Sequence, residues 1–249
     1  MVEKTLINYS YLLNDYRKIQ EQKADISTEP LTIRYTTLLE NYTKLLKERR
    51  EVARSFAPEF NIFRLLSVSG YESTHSRILA DLLDPKGTHG QGALFLRSFF
   101  EVCHKKSPES IPIHSILEPG ICEKSVVLGE YHTSQGRVDL VIINSSIGFL
   151  GIIENKITAS EQPDQLKRYL TWLESKGKEF QSRCLIFLTI TGHLSVTADP
   201  KEYIPLSYDR DICPWLNRML PSIQAVGVST ILLHYIEIAK LLRFDYEGN

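Results

Sequence analysis

The stretch Val138-Asp139-Leu140-Val141-Ile142-Ile143-Asn144-Ser145-Ser146-Ile147-Gly148-Phe149-Leu150-Gly151-Ile152-Ile153-Glu154-Asn155-Lys156 decides the fold. It holds the apolar run Val138–Ile143 and most of a second, Phe149–Ile157, whose last residue lies just past it; both read as strands. Asn144-Ser145-Ser146 between them is a turn. So short a connection implies an antiparallel hairpin, which would bring Asp139 of the first strand beside Glu154 of the second. Side chains two apart on a strand share a face, so Glu154 and Lys156 project together while Asn155 points away.

Charges inside a sheet are costly unless they are paired or bind an ion. Two carboxylates and one ammonium on one patch form a site for a small, hard cation with an activating group beside it. Oxygen ligands of this kind suit Mg²⁺ or Mn²⁺ and not Zn²⁺. The plain alternative is a cross-strand salt bridge at an exposed sheet edge. The apolar flanks of all three residues speak against it.

Working outward, Ser125–Leu128 reads as a strand before the hairpin and Cys184–Thr189 as a buried strand after it. Between them, Glu161–Lys176 has the apolar period of an amphipathic helix. Upstream, Glu72–Asp84 is a helix stopped by Asp84-Pro85. Lys86–Gly92 is a glycine-punctuated loop, and Ala93–Cys103 an apolar, aromatic helix. Beyond the breaks at Pro200 and Pro205 the chain reads as two helices ending near Arg243. Nearer the start, Tyr35, Leu38, Tyr42, Leu45 and Val52 recur on one face of a long helix, and Leu6 to Ile19 repeat the pattern weakly. The fold class is therefore α/β (α+β), a mixed sheet flanked by helices with an N-terminal helical extension. The extension is expected over residues 1–68 and the sheet domain over 69–249.

Composition narrows the function. The 29 Lys+Arg against 30 Asp+Glu leave a net charge of −1, so bulk electrostatics cannot coat nucleic acid and any such contact needs a local basic face. Cys103, Cys122, Cys184 and Cys213 are too far apart in sequence for a zinc hook or redox pair, and read as reduced, buried thiols of a cytoplasmic protein. No apolar stretch is long enough for a membrane span, and the charged N-terminus lacks a signal-peptide core.

Asp139, fourteen intervening residues, then Glu154-Asn155-Lys156 resembles the D…(D/E)xK signature of the PD-(D/E)XK nuclease superfamily, the restriction-endonuclease-like fold. Gln165-Leu166-Lys167-Arg168-Tyr169 resembles the QxxxY element of its exonuclease-like branches. Glu72-Ser73-Thr74-His75-Ser76-Arg77 with Leu82-Leu83-Asp84-Pro85 resembles the ExxHSR…LLDP helix of a bacterial branch. Val138 stands where the superfamily's name has proline. The resemblance implies that Asp139 and Glu154 hold Mg²⁺ (or Mn²⁺ in its place), with the Asn155 carbonyl as third ligand and Glu72 as outer carboxylate. It further implies that Lys156 orients the attacking water or steadies charge developing on phosphorus, and that Gln165 positions water, lysine or phosphate with Tyr169 packing behind it; His75 reads as a histidine hydrogen-bonded beneath the site.

The function so implied is Mg²⁺-dependent hydrolysis of a DNA phosphodiester in bacterial restriction or anti-phage defence, with RNA the less favoured substrate. The alternative is a catalytically silent module on the same fold that binds nucleic acid or a partner protein. A homodimer or partner contact is expected through the N-terminal helices. Arg77 stands four residues before Asp81, and that spacing favours an ordinary helical ion pair over a phosphate contact.

Overall fold

The computed structural model describes residues 31–57 and 59–247, so the weak helical pattern over Leu6–Ile19 lies outside the described residues. The chain divides into two compact units, Met1–Phe60 and Asn61–Asn249, ahead of the boundary after Val68 expected from sequence. The reason is Asn61. Its Oδ1 caps α2 (Ile62–Leu65) by accepting from the Phe63 and Arg64 amides. Its Nδ2 donates to the His234 carbonyl at 2.8 Å and to Glu237 Oε2 at 2.9 Å on α8 (Val226–Glu247), within the second unit. In the first unit α1 (Leu31–Phe56) leaves Tyr35, Leu38, Leu39, Tyr42 and Leu45 exposed, so its tyrosine face is not a core. No helix among the described residues is long and apolar enough to cross a membrane.

The second unit continues with α3 (Glu72–Leu83), α4 (Leu94–Lys106) and α5 (Ile113–Ile116). Then come β1 (Val126–Thr133), β2 (Gly136–Asn144), β3 (Phe149–Lys156), α6 (Gln165–Ser175), β4 (Ser182–Thr189), β5 (Ile204–Ser207) and α7 (Cys213–Met219). The five strands form one sheet in sequence order. β1, β2 and β3 are an antiparallel meander, and β3, β4 and β5 run parallel. The expected mixed sheet is realised, with the expected hairpin pairing Leu140 with Ile153. The strand β5 was not anticipated. Its Pro205 reads as a break, and Pro is tolerated here because β5 is the last strand of the sheet.

Parallel pairing needs a crossover, and α6 supplies it between β3 and β4. Leu166, Tyr169, Trp172 and Leu173 of α6 bury one sheet face with Leu150, Ile152, Leu185 and Phe187. The opposite face, carrying Leu140, Ile142, Ile153, Ile186 and Leu206, packs with residues of α3, α4, α7 and α8. Aromatic rings consolidate that side, with Phe100 edge-on to Phe149 at 5.3 Å and Phe99 against Trp215 at 5.3 Å. All four cysteines are buried free thiols.

α3 is tied to the central strand by Asn155, which is fully buried. Its Nδ2 donates to Ser76 Oγ at 3.0 Å and to the Glu72 carbonyl at 3.3 Å, and its Oδ1 accepts from Tyr208 Oη at 3.0 Å. A buried polar group stripped of its partner costs about 1–3 kcal/mol. Asn155→Ala removes the Tyr208 hydroxyl's acceptor and both ties to α3, so unfolding in urea should show a stability loss of about 2–3 kcal/mol. An unchanged midpoint would mean that apolar packing alone seats α3.

Candidate active site

The site forms where β3 parts from β2. Backbone pairing of the hairpin ends at Leu140 with Ile153. Two residues further along β3, the Asn155 amide donates to Asp139 Oδ2 at 2.8 Å, so a carboxylate stands where a strand carbonyl would be. The pleat also changes phase here. Val138 and Val141 belong to the same apolar cluster under α6, although residues three apart in a regular strand face opposite ways. Glu130 would stand opposite Asp139 on β1, and it holds a left-handed backbone at φ +50°. The slip turns Asp139 toward α3, where it lines a cleft with Ser73, Ser76 and Arg77.

Glu154 and Lys156 project toward α6, as alternation requires. Glu154 Oε1 accepts from Lys156 Nζ at 2.9 Å and from Gln165 Nε2 at 2.7 Å. Its Oε2 is buried with no hydrogen-bond partner among the described residues. Burial first, then the Asp139 charge, push the Glu154 carboxyl up to about 8. Burial also raises Asp139, against the Asn155 amide and the Lys156 charge, which oppose it. For Lys156, burial works against the charge, but Glu154, Glu72 and Asp139 outweigh it and hold the ammonium above its usual range.

Gln165 reaches Glu154 because the start of α6 is fixed on several sides. Gln165 Oε1 accepts from the Gln162 amide at 3.0 Å, and its Nε2 also donates to Tyr169 Oη at 3.1 Å. Tyr169 Oη in turn donates to the Arg137 carbonyl on β2 at 2.6 Å. The helix begins at Gln165 and not at Glu161, since Pro163 precedes Asp164 and Asp164 is left-handed at φ +50°. Asp164 supplies no side-chain cap. Thr197 takes over that duty: its Oγ1 accepts from the Leu166 amide at 3.2 Å and donates to Glu161 Oε2 at 2.7 Å. No local pattern announces Glu161 or Thr197, because their partners lie 31 to 36 residues away.

Glu72 opens α3 and is spent largely on backbone. Its Oε1 accepts from the amides of Ile157, Thr158 and Ala159 at 2.8, 3.1 and 3.0 Å, clasping the chain as it leaves β3. His75 lies beneath the site and is fully buried. Its Nε2 meets the Ser69 carbonyl at 2.8 Å, so that nitrogen carries the proton, and Nδ1 meets Tyr235 Oη at 3.2 Å. Burial lowers its pKa, which keeps the ring neutral. Tyr208 and Tyr235 stand behind Asn155 and His75, and the sequence carries no mark of either role. Asp81 does not pair with Arg77: it accepts from the Thr88 amide at 2.7 Å and from Thr88 Oγ1 at 3.1 Å. The loop holds it there, since a Cβ at Gly87 would meet the Asp81 carbonyl at 2.1 Å.

The structure thus brings Asp139, Glu154, Lys156, Gln165 and Tyr169 together, with Glu72, His75 and the Asn155 side chain on the α3 side. Three carboxylates face one ammonium, and the buried, unpartnered Glu154 Oε2 fits a cation ligand. Among the described residues no three His, Cys, Asp or Glu side chains gather as a metal cage. The carboxylates present, Asp139 and Glu154, are oxygen donors of the kind that hard cations take. A family model described as the PD-(D/E)XK nuclease superfamily matches residues 60–236. Neither the comparison with curated proteins nor that with solved structures returned a match.

A carboxyl whose folded pKa is raised favours the folded state below its unfolded value, and loses that advantage as pH rises to the folded value. With Glu154 moving from 4.5 to about 8, metal-free protein should lose about 3 kcal/mol between pH 4 and 7 from this group. Glu154→Gln should flatten that part of the curve, as read by urea unfolding in EDTA. A pH profile identical to wild type would show that Glu154 ionises without strain.

Proposed function

The chain belongs to the PD-(D/E)XK nuclease superfamily, and from that premise we propose that it is a metal-dependent DNA nuclease. The substrate is a DNA phosphodiester, with RNA second, and the ion is Mg²⁺, for which Mn²⁺ substitutes. The setting is cytoplasmic, in restriction or anti-phage defence, and that part rests on family resemblance alone. One observation carries the chemistry. Glu154 keeps a buried oxygen with no partner, on a carboxyl that also bonds Lys156 and Gln165 and feels the charge of Asp139.

In this reading Asp139, Glu154 and the Asn155 carbonyl would hold the ion. The chemistry a divalent ion held there would supply is polarisation of the scissile phosphate and a lowered pKa for a bound water. Lys156 stays charged beside Glu154, so it serves as a hydrogen-bond donor to the attacking water or to charge developing on phosphorus, not as a base. Gln165 and Tyr169 are positioning residues that fix the Glu154 carboxylate through its Oε1. Glu72 adds negative charge and keeps the chain after Lys156 in place, with its second oxygen left for an outer contact to the ion. The exposed apolar residues of α1 support the expected homodimer or partner contact.

A silent module of the same fold would retain no reason to strain Glu154. Its proton-shifted carboxyl beside an intact Lys156 favours the catalytic reading. The test is cleavage of linear duplex, supercoiled plasmid, single-stranded DNA and RNA with Mg²⁺ or Mn²⁺, alongside Mn²⁺ calorimetry. Asp139→Asn, which keeps an acceptor for the Asn155 amide, Glu154→Ala and Lys156→Ala should each lower cleavage by about 10³-fold or more, with folding intact by circular dichroism. Gln165→Ala should cost about tenfold, in line with loss of a positioning contact. Retained cleavage in Glu154→Ala would sink the site; absence of both cleavage and Mn²⁺ binding would leave the silent module.

A further inference from the structure

The phase slip that turns Asp139 toward α3 also opens a cleft of about 220 Å³ between that helix and β1. Ser73, Ser76, Arg77 and Ala80 line one wall, and Gly129, Glu130 and Asp139 the other. Gly129 keeps the floor low: a Cβ there would lie 3.7 Å from the Ala80 methyl. The cleft therefore leads directly to a carboxylate of the proposed active site.

Arg77 is exposed on this wall and, among the described residues, makes no hydrogen bond or ion pair. Its expected partner, Asp81, is held by Thr88. The neighbouring cations are engaged elsewhere, Lys156 with Glu154 at 2.9 Å and Arg137 with Glu130 at 3.8 Å. Two hydroxyls accompany the guanidinium. Ser76 Oγ accepts from Asn155 Nδ2, which leaves its own proton to donate, and Ser73 is exposed one helical turn away. A planar fork of donors beside hydroxyls matches the oxygens of a phosphodiester. The chain's net charge of −1 requires that phosphate contacts come from such local features.

We propose that this cleft is a phosphate subsite, in which Arg77 grips the phosphodiester next to the one positioned at Asp139. The inference rests on the nuclease reading, because the ligand it takes is the flanking backbone of the same strand. Arg77 so placed binds ground state and transition state alike, and sets how the strand is seated.

The experiment measures binding of a fluorescent duplex DNA in Ca²⁺ across a salt series, with cleavage in Mg²⁺, for wild type, Arg77→Ala, Arg77→Lys and Arg77→Glu. Arg77→Ala should raise Kd and KM about tenfold and reduce the slope of log Kd against log salt by about 0.9, the loss of one phosphate contact. The kcat at saturation should stay within about twofold, as for loss of uniform binding. Arg77→Lys should recover the salt slope but only part of the affinity, and Arg77→Glu should bind worst. Urea midpoints should match throughout, since Arg77 holds nothing in the fold. Wild-type slope and Kd in Arg77→Ala, or a fall in kcat with Kd unchanged, would overturn the subsite while the nuclease reading stands. If wild type neither binds nor cleaves, the nuclease reading fails and the subsite with it.

Discussion

The hydrogen bond from the Asn155 amide to the Asp139 carboxylate is the constraint from which the site follows. A strand amide at a sheet's centre must have an acceptor. As long as β2 supplies one from its backbone, the two strands stay parallel-sided and nothing can enter between them. Handing the duty to a side chain lets β3 diverge while its amide remains satisfied. The divergence opens the end of the hairpin, where alternation already points Glu154 and Lys156 at the start of α6 and the Asn155 side chain at α3. One amide with an unusual acceptor thus couples both helical layers to the same point in the sheet.

Much of this arrangement was legible because it is local. The turn at Asn144–Ser146 forces the hairpin, and the hairpin places Asp139 across from Glu154. Alternation sends Glu154 and Lys156 one way and Asn155 the other, and the helix after the third strand carries Gln165 to them. What the sequence could not disclose depends on partners far along the chain. Glu72 has the composition of an ordinary helix-start acid, yet it clasps three amides some 85 residues away. Glu161 looks like the first turn of a helix and is instead an anchor for the loop that caps it. Regular alternation also fails at Asp139, which stands across the sheet from the left-handed backbone of Glu130.

The electrostatics of the site run against folding. Glu154 is surrounded by Asp139, Glu72 and apolar strand, and a single ammonium does not balance them. A sequence selected only for stability would place an apolar residue at that position, as it has at Ile152 two residues earlier. Interior carboxylates that survive without full pairing are the signature of a site whose balance is struck with another charge. The hydrogen bonds from Gln165 and Lys156 occupy one oxygen of Glu154 and fix the direction of the other. Orientation set in advance is what lets a sparse ligand set act with strength, since little reorganisation remains when charge arrives.

Asp139 differs from its companions in belonging to both layers. Glu154, Lys156 and Gln165 lie on the α6 side, where Tyr169 and the Glu161–Thr197 link hold them rigid. Ser73 and Arg77 lie exposed on the α3 side, with the buried Ser76 lining the same cleft. Had β2 kept its pleat, Asp139 would share the face of Val141 and the two sides would be separated by the sheet. The slip opposite Glu130 removes that separation at one residue. The residues proposed for chemistry and those proposed to seat substrate thus lie on opposite faces of one sheet and meet at a single carboxylate.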